Sequence, residues 1–276
     1  MPCPRVTSFV FALSAACGIL AALPAIAADG QIVITDAKAQ AGNVTPGDSS
    51  GYPVTLTLRG SYILGSNLNP GAGKDGIVAA APDIAIDLNG FTMSGGASGG
   101  GVSTNARRGI WGQADRLTVK NGTIGAFTEA GIYALSRPFL IVENMRIING
   151  NFGINSSGGF ARIHNSTIAS NRGYGIACGD FCEIQESIAA GNLQAGVYCA
   201  LSCHVEGNII SKNNSDGIFI KTGTVLGNTI FSNGDFGIQA TGTVGFGNNT
   251  IVGNVSGPIF GGAFVTLHPN ACSPAC

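Results

Sequence analysis

The sequence predicts an all-β fold, a parallel β-helix solenoid of about eight to ten coils, and three columns of residues sharing one period predict it. A Gly-Ile step, once Gly-Val, recurs at Gly109-Ile110, Gly131-Ile132, Gly153-Ile154, Gly175-Ile176, Gly196-Val197, Gly217-Ile218 and Gly237-Ile238, at separations of 22, 22, 22, 21, 21 and 20 residues. A second column runs through Ile124, Ile147, Ile168, Ile188, Ile210, Ile230 and Ile251, and a third through Asn149, Asn171, Asn192, Asn213, Asn233 and Asn254. A fixed period of this length marks a repeat architecture. One unit cannot bury its own apolar face, and the stack supplies the core.

Segments such as "ARIHNSTIAS" and "VEGNIIS" are short, β-branched and punctuated by Gly and Asn, with no 3.6-residue stripe. A leucine-rich repeat has a similar period, but its spaced leucines and helix signals are missing. Each repeat is therefore read as one coil of short strands, with coils stacked ~4.8 Å apart. The isoleucines face a dry interior. The asparagines are expected at one turn, where Asn tolerates a left-handed backbone, with their amides hydrogen-bonding from coil to coil as a ladder. That role needs no catalysis.

In chain order, "MPCPRVTSFVFALSAACGILAALPAIAADG" reads as a signal peptide over residues 1–27, with Arg5 before an apolar run and "AIA" at the cleavage point. Residues 28–59 are expected to form an N-terminal cap over the apolar end and its open strand edges. Residues 60–265 carry the coils, and 266–276 a cysteine-bearing tail. No later segment is long and apolar enough to span a bilayer, so the expectation is an exported protein, periplasmic or extracellular, with no transmembrane segment after signal removal. A net charge of −1 provides no basic face for nucleic acid. A 45% hydrophobic composition is too apolar for disorder.

Beyond Cys3 and Cys17 in the signal segment, six cysteines form three Cys-x-x-x-Cys pairs: Cys178/Cys182, Cys199/Cys203 and Cys272/Cys276. The 21-residue offset between the first two pairs is one coil, so Cys199 should lie over Cys178 and Cys203 over Cys182. Export favours disulfides within each pair. Bonds between neighbouring coils and a four-thiolate zinc site are the alternatives, and neither a metal nor a cofactor is required.

The segments "GSYILGSNL", "DIAIDLNGFTMSG", "LTVKNGTIGAF" and "VENMRIINGNFGI", with the ending "PNACSPAC", resemble a group of exported bacterial proteins carrying the general right-handed parallel β-helix repeat domain. The resemblance runs from Gly60 to Cys276 and implies a right-handed β-helix with an N-terminal cap. It implies no single activity, because lyases, hydrolases, epimerases and non-catalytic surface proteins share the architecture. Pectate-lyase-like members cluster aspartates for calcium, and polygalacturonase-like members group three aspartates with a histidine. Here Asp115, Asp180, Asp216 and Asp235 are scattered.

Residues flanking an inward position point outward. With Ile163, Ile184 and Val205 inward, Arg162, Glu183 and His204 form one outward column. Lys120, Glu143, His164, Gln185 and Glu206 form another. An enzymatic reading gives Glu183 or Glu206 the acid/base role, with His204 and His164 beside them and Arg162 holding a sugar carboxylate. The Cα atoms of Glu183 and Glu206 would lie about 8 Å apart by strand spacing. The plain alternative is a solvated face of alternating charge that favours correct register. A second outward column contains Trp111, Tyr133, Asn155, Ala177, Tyr198 and Phe219, whose aromatic members offer flat faces to sugar rings. The leading expectation is a non-catalytic carbohydrate-binding or envelope structural protein with polysaccharide or cell-envelope glycan as partner. A polysaccharide lyase, hydrolase or epimerase is the alternative.

Overall fold

The computed structural model describes residues 30–96, 107–134, 139–156 and 158–276. The expected signal peptide, with Cys3 and Cys17, and most of the "GASGGG" stretch lie outside them. The described chain is a parallel β-solenoid of about ten turns, and three flat sheets form its walls. A central coil shows the order: Glu183–Gln185 in one wall, Ile188–Ala190 in the next and Val197–Cys199 in the third. We call the wall containing Val197–Cys199 sheet I, that containing Glu183–Gln185 sheet II and that containing Ile188–Ala190 sheet III. Every strand pairing is parallel and joins one coil to the next.

Pairing begins early. Ile32–Ile34 adds to sheet II beside Gly60–Leu64, and Val54–Leu56 adds to sheet I beside Ile77–Ala79. Between them the helix Asp36–Ala41 is opened by the Thr35 hydroxyl, which accepts from the Lys38 N–H. At the other end Ala271–Ser273 extends sheet III, with Cys272 opposite Ile251. The final cysteine pair thus continues the stack rather than lying outside it.

The inward columns are dry. Ile154, Ile176, Val197, Ile218 and Ile238 are fully buried in sheet I, and Ile163, Val205 and Val225 in sheet II. Each such side chain contributes about 1.5–3 kcal/mol relative to exposure. The Gly-Ile step now has a steric cause. A Cβ on Gly196 would stand 2.6 Å from Asn213 Nδ2 and 2.8 Å from Ile210 Cγ2, so glycine makes room for two neighbouring columns. In sheet III one member of the predicted column is misplaced. Ile168 pairs with Ala189, and Ala189 with Ile210, while Ile188 pairs with Ile209 and is 37% exposed. A one-residue slip exchanges the two faces.

The asparagine ladder is present at the corner from sheet III to sheet I. Asn171, Asn192, Asn213, Asn233 and Asn254 are buried, and each of the first four donates its backbone N–H and its amide N–H to the Oδ1 of the next, at 2.8–3.1 Å. Asn149 is not a rung. Gly150 holds the equivalent place, donating its N–H to Asn171 Oδ1 at 2.9 Å. The left-handed residue at this corner is the one before each rung, at Asn149, Ser170, Gly191, Lys212, Ser232 and Gly253. The rungs themselves therefore need Asn for its amide and not for its backbone freedom.

A second ladder, unforeseen in the sequence, stands at the corner from sheet II to sheet III. The N–H of Ser166 donates to Ser187 Oγ, that of Ser187 to Asn208 Oδ1, and the line continues through Asn228, Asn249 and Asn270 at 2.9–3.1 Å.

Candidate binding faces

The sheet I to sheet II corner carries the cysteines. Cys178 pairs with Cys199, as the coil offset requires, and the His204 N–H donates to the Cys182 carbonyl at 2.7 Å. Cys199–Cys203 and Cys272–Cys276 are disulfides. The expected Cys178–Cys182 bridge is not formed; both are free, buried thiols. Burial first, then the hydrogen bond and charge of Cys182, pushes the Cys178 thiol well above its ordinary pKa. A thiol so disfavoured as thiolate is a poor nucleophile. Among the described residues no cluster of three His, Cys, Asp or Glu could hold a metal ion.

The outward columns of sheet II fall in the expected registers. Ile141, Arg162, Glu183 and His204 follow one another across the coils, and so do Lys120, Glu143, His164, Gln185 and Glu206. Their contacts differ from the enzymatic expectation. Arg162 Nε lies 2.7 Å from Glu183 Oε2, so the guanidinium is engaged by a protein carboxylate instead of waiting for a sugar's. His204 contacts Thr224 Oγ1 at 2.6 Å through Nδ1 and Glu206 Oε2 at 3.0 Å through Nε2. Gln185 Nε2 donates to the same Glu206 oxygen at 3.2 Å. His164 Nε2 reaches Glu186 Oε2 at 3.0 Å. The groups are joined pairwise across an open, solvated surface, with Arg162, His204 and Glu206 all more than a third exposed.

On sheet I the outward column is also in register: Trp111, Tyr133, Asn155, Ala177, Tyr198 and Phe219. Beside Asn155 and Ala177, in the neighbouring outward column, stand Phe152 and Tyr174, and Tyr174 reaches across to Tyr198. Ring centroids are 6.0 Å apart for Phe152–Tyr174, 5.2 Å for Tyr174–Tyr198 and 5.5 Å for Tyr198–Phe219. At the other end the Arg108 guanidinium lies 4.1 Å from the Trp111 ring centre and 4.3 Å from that of Tyr133, held by Glu129 at 2.7 Å. Cation–π contact and ion pair fix both rings in place. All six aromatic residues are half-buried, each leaving part of its surface to solvent.

Residues 98–204 match the family model described as a right handed beta helix region. The chain has the parallel β-helix fold, and its central part is similar to that family. It is similar in structure to a mutant form of the periplasmic alginate epimerase AlgG, with a TM-score of 0.60 and 12% identity, over 79% of this chain and 76% of that one. The A-module of the Azotobacter vinelandii mannuronan C-5 epimerase AlgE4 aligns at 0.43 and 12% identity, over 87% of this chain and 86% of that one. At such identities the likeness is one of fold. No curated protein matches the chain.

The β-helix carries one feature that outward-column reasoning missed. At the sheet I to sheet II corner, Phe139, Phe160 and Phe181 occupy one place on three successive coils. Phe139 is 49% exposed and Phe181 60% exposed. Phenylalanine at the end of a strand reads as core, and only the two-residue offset from Ile141, Arg162 and Glu183 could have placed these rings outside.

Proposed function

We propose that this β-helix is an exported protein that binds polysaccharide along its outer surface without cleaving it. The aromatic belt of sheet I carries the reading. Two groups of rings, Trp111 with Tyr133 around Arg108 and the run from Phe152 through Tyr174 and Tyr198 to Phe219, follow one another along the stack and present flat faces in the direction in which an extended sugar chain would lie. Its rings are braced from within by Arg108 and by each other, which lowers the ordering cost of binding. Supporting context comes from the fold relative, a periplasmic epimerase of alginate. The two disulfides fit an oxidising compartment. A second, enzymatic reading rests on the His204–Glu206 contact of 3.0 Å. The openness of that face and the Arg162–Glu183 pair favour binding over catalysis. Retention on immobilised glycans tests the proposal: the Trp111→Ala, Tyr133→Ala variant is expected to elute earlier than the parent protein. Equal retention of the two on every glycan that holds the parent would remove the belt as the binding surface.

A further inference from the structure

The corner between sheets I and II must take a left-handed residue on several coils. Asp83, Arg116, Phe139, Phe181 and Ser202 stand there with φ of 59°, 58°, 66°, 58° and 55°. Glycine, asparagine or serine meets that demand at little cost, and asparagine or glycine does so at most coils of the sheet II to sheet III corner. A bulky aromatic residue with positive φ is a true outlier. Here there are two, and both spread about half or more of their surface into water. Neither strain nor exposure helps the fold. Strain maintained against the local optimum clusters at ligand-binding places.

One of them, Phe139, borders a depression. Asp83, Arg116 and Phe139 form its rim; Ala85, Thr118 and Ile141 form its floor, and its volume is about 400 Å³. The floor runs on along the stack into Arg162, Glu183 and His204, and the rim into Phe160 and Phe181. Phe139 and Phe160 lie 4.9 Å apart between ring centres, one coil spacing, which is close to the length of one ring in an extended pyranose chain.

The charge of the strip narrows the occupant. Each of the three arginines beside it already faces a carboxylate, Arg59 and Arg116 that of Asp83 and Arg162 that of Glu183. In the adjoining column Glu143 lies between Lys120 and His164, and Glu206 accepts from neutral Gln185 and from His204. A polyuronate would meet Glu143, Glu183 and Glu206 while Arg59, Arg116 and Arg162 each already stand beside a carboxylate. Sugar hydroxyls would find acceptors.

We infer that the Phe139–Phe160–Phe181 rim and the Thr118–Ile141–Glu183 floor form a second glycan-binding strip, separate from the sheet I belt and built for an uncharged pyranose chain. The inference extends the glycan-binding reading to a second face and names its ligand class.

The test is the double variant Phe139→Asn, Phe181→Asn, placed in the parent and in the Trp111→Ala, Tyr133→Ala background. Binding of β-1,4-linked and β-1,3-linked glucose hexasaccharides and of an oligogalacturonate is followed by calorimetry, and thermal stability is measured alongside. In the background lacking the belt, the parent strip should still bind a neutral hexasaccharide and bind the oligogalacturonate more weakly. The asparagines should reduce that affinity about tenfold, as loss of two stacking faces implies, while the melting temperature stays level or rises because asparagine suits the left-handed corner. Unchanged affinity would overturn the strip. A fall in melting temperature would also overturn it, by assigning the rings to packing, and tighter oligogalacturonate binding would overturn the uncharged class. Loss of binding in the belt variant alone, with the asparagines silent, would leave the sheet I reading standing and remove this one.

Discussion

Asn213 offers the sharpest test of what holds the stack together. Its Oδ1 accepts from the Asn192 N–H at 3.0 Å and the Asn192 amide at 2.9 Å. Its amide donates to Asn233 Oδ1 at 3.0 Å and to the Ala189 carbonyl at 3.0 Å. The side chain is 1% exposed, so water cannot replace it cheaply. Replacing it by alanine deletes four hydrogen bonds at ~1 kcal/mol each and strands two donors of Asn192. The expected cost is about 4 kcal/mol. Asn149 lies in the same sequence column but outside the ladder, exposed and left-handed. Asn149→Gly should therefore change stability by no more than a few tenths of a kcal/mol. Urea unfolding followed by Trp111 fluorescence and far-ultraviolet circular dichroism gives both values, and agreement of the two probes checks that unfolding is cooperative. A loss below 1 kcal/mol for Asn213→Ala, or equal losses for the two variants, would refute the assignment of the rungs.

Three other outcomes follow from particular groups. Asp216 is 3% exposed, and burial pushes its carboxyl up to about 6, with its Oδ1 accepting from the Phe236 N–H at 3.1 Å. A carboxyl raised in the folded state favours folding below its unfolded pKa of ~3.9 and loses that contribution as pH rises through about 6. Asp216→Asn should stabilise the protein by up to ~2–3 kcal/mol at pH 7.5 and by little at pH 4, read from melting curves at both. A variant equally or less stable at pH 7.5 contradicts this. In the chain beginning at Ala28, alkylation at pH 8 should leave Cys178 and Cys182 unlabelled until unfolding exposes both, with Cys199–Cys203 and Cys272–Cys276 still bridged by mass mapping; rapid labelling of folded protein would show the pair to be accessible. Arg162→Ala removes an exposed ion pair and should cost under ~1 kcal/mol in urea unfolding; a loss of several kcal/mol would mean that the pair supports the coil register.

The fold was legible because solenoid geometry repeats in the chain itself. Gly196 and Gly217 must leave room for the Asn and Ile columns on every coil, so the spacing of the Gly-Ile steps measures the circumference of the solenoid. What could not be read was phase within a coil. Ile188 and Ala189 are adjacent and both apolar, and only pairing reveals that the smaller one faces in. Asn149 and Asn171 occupy one sequence column, yet the left-handed residue is Asn149 itself on one coil and Ser170, the residue before Asn171, on the next. The second ladder escaped notice because its rungs begin as Ser166 and Ser187 before becoming asparagine, so residue identity changes while the hydrogen-bond role persists.

The candidate faces were half legible for a similar reason. Alternation across a strand placed Arg162, Glu183, His204 and Glu206 together correctly. It could not show that Arg162 would turn to Glu183, since both are long side chains on neighbouring coils whose preferred contact is set by rotamer and not by register. Nor could a single outward column reveal the sheet I belt, part of which runs from Phe152 to Tyr174 in one column and then to Tyr198 in the other. Corners escape alternation altogether, which is why Phe139 and Phe181 were silent.

The central claim is binding without cleavage. Incubating the chain from Ala28 onward with a panel of neutral and acidic polysaccharides, then analysing both the retained polymer and the soluble products by mass spectrometry, tests it most directly. The account predicts that at least one neutral polymer is retained and remains intact. Shortened chains, unsaturated ends or altered sugar stereochemistry would contradict the non-catalytic reading, and retention of no polymer in the panel would contradict binding itself.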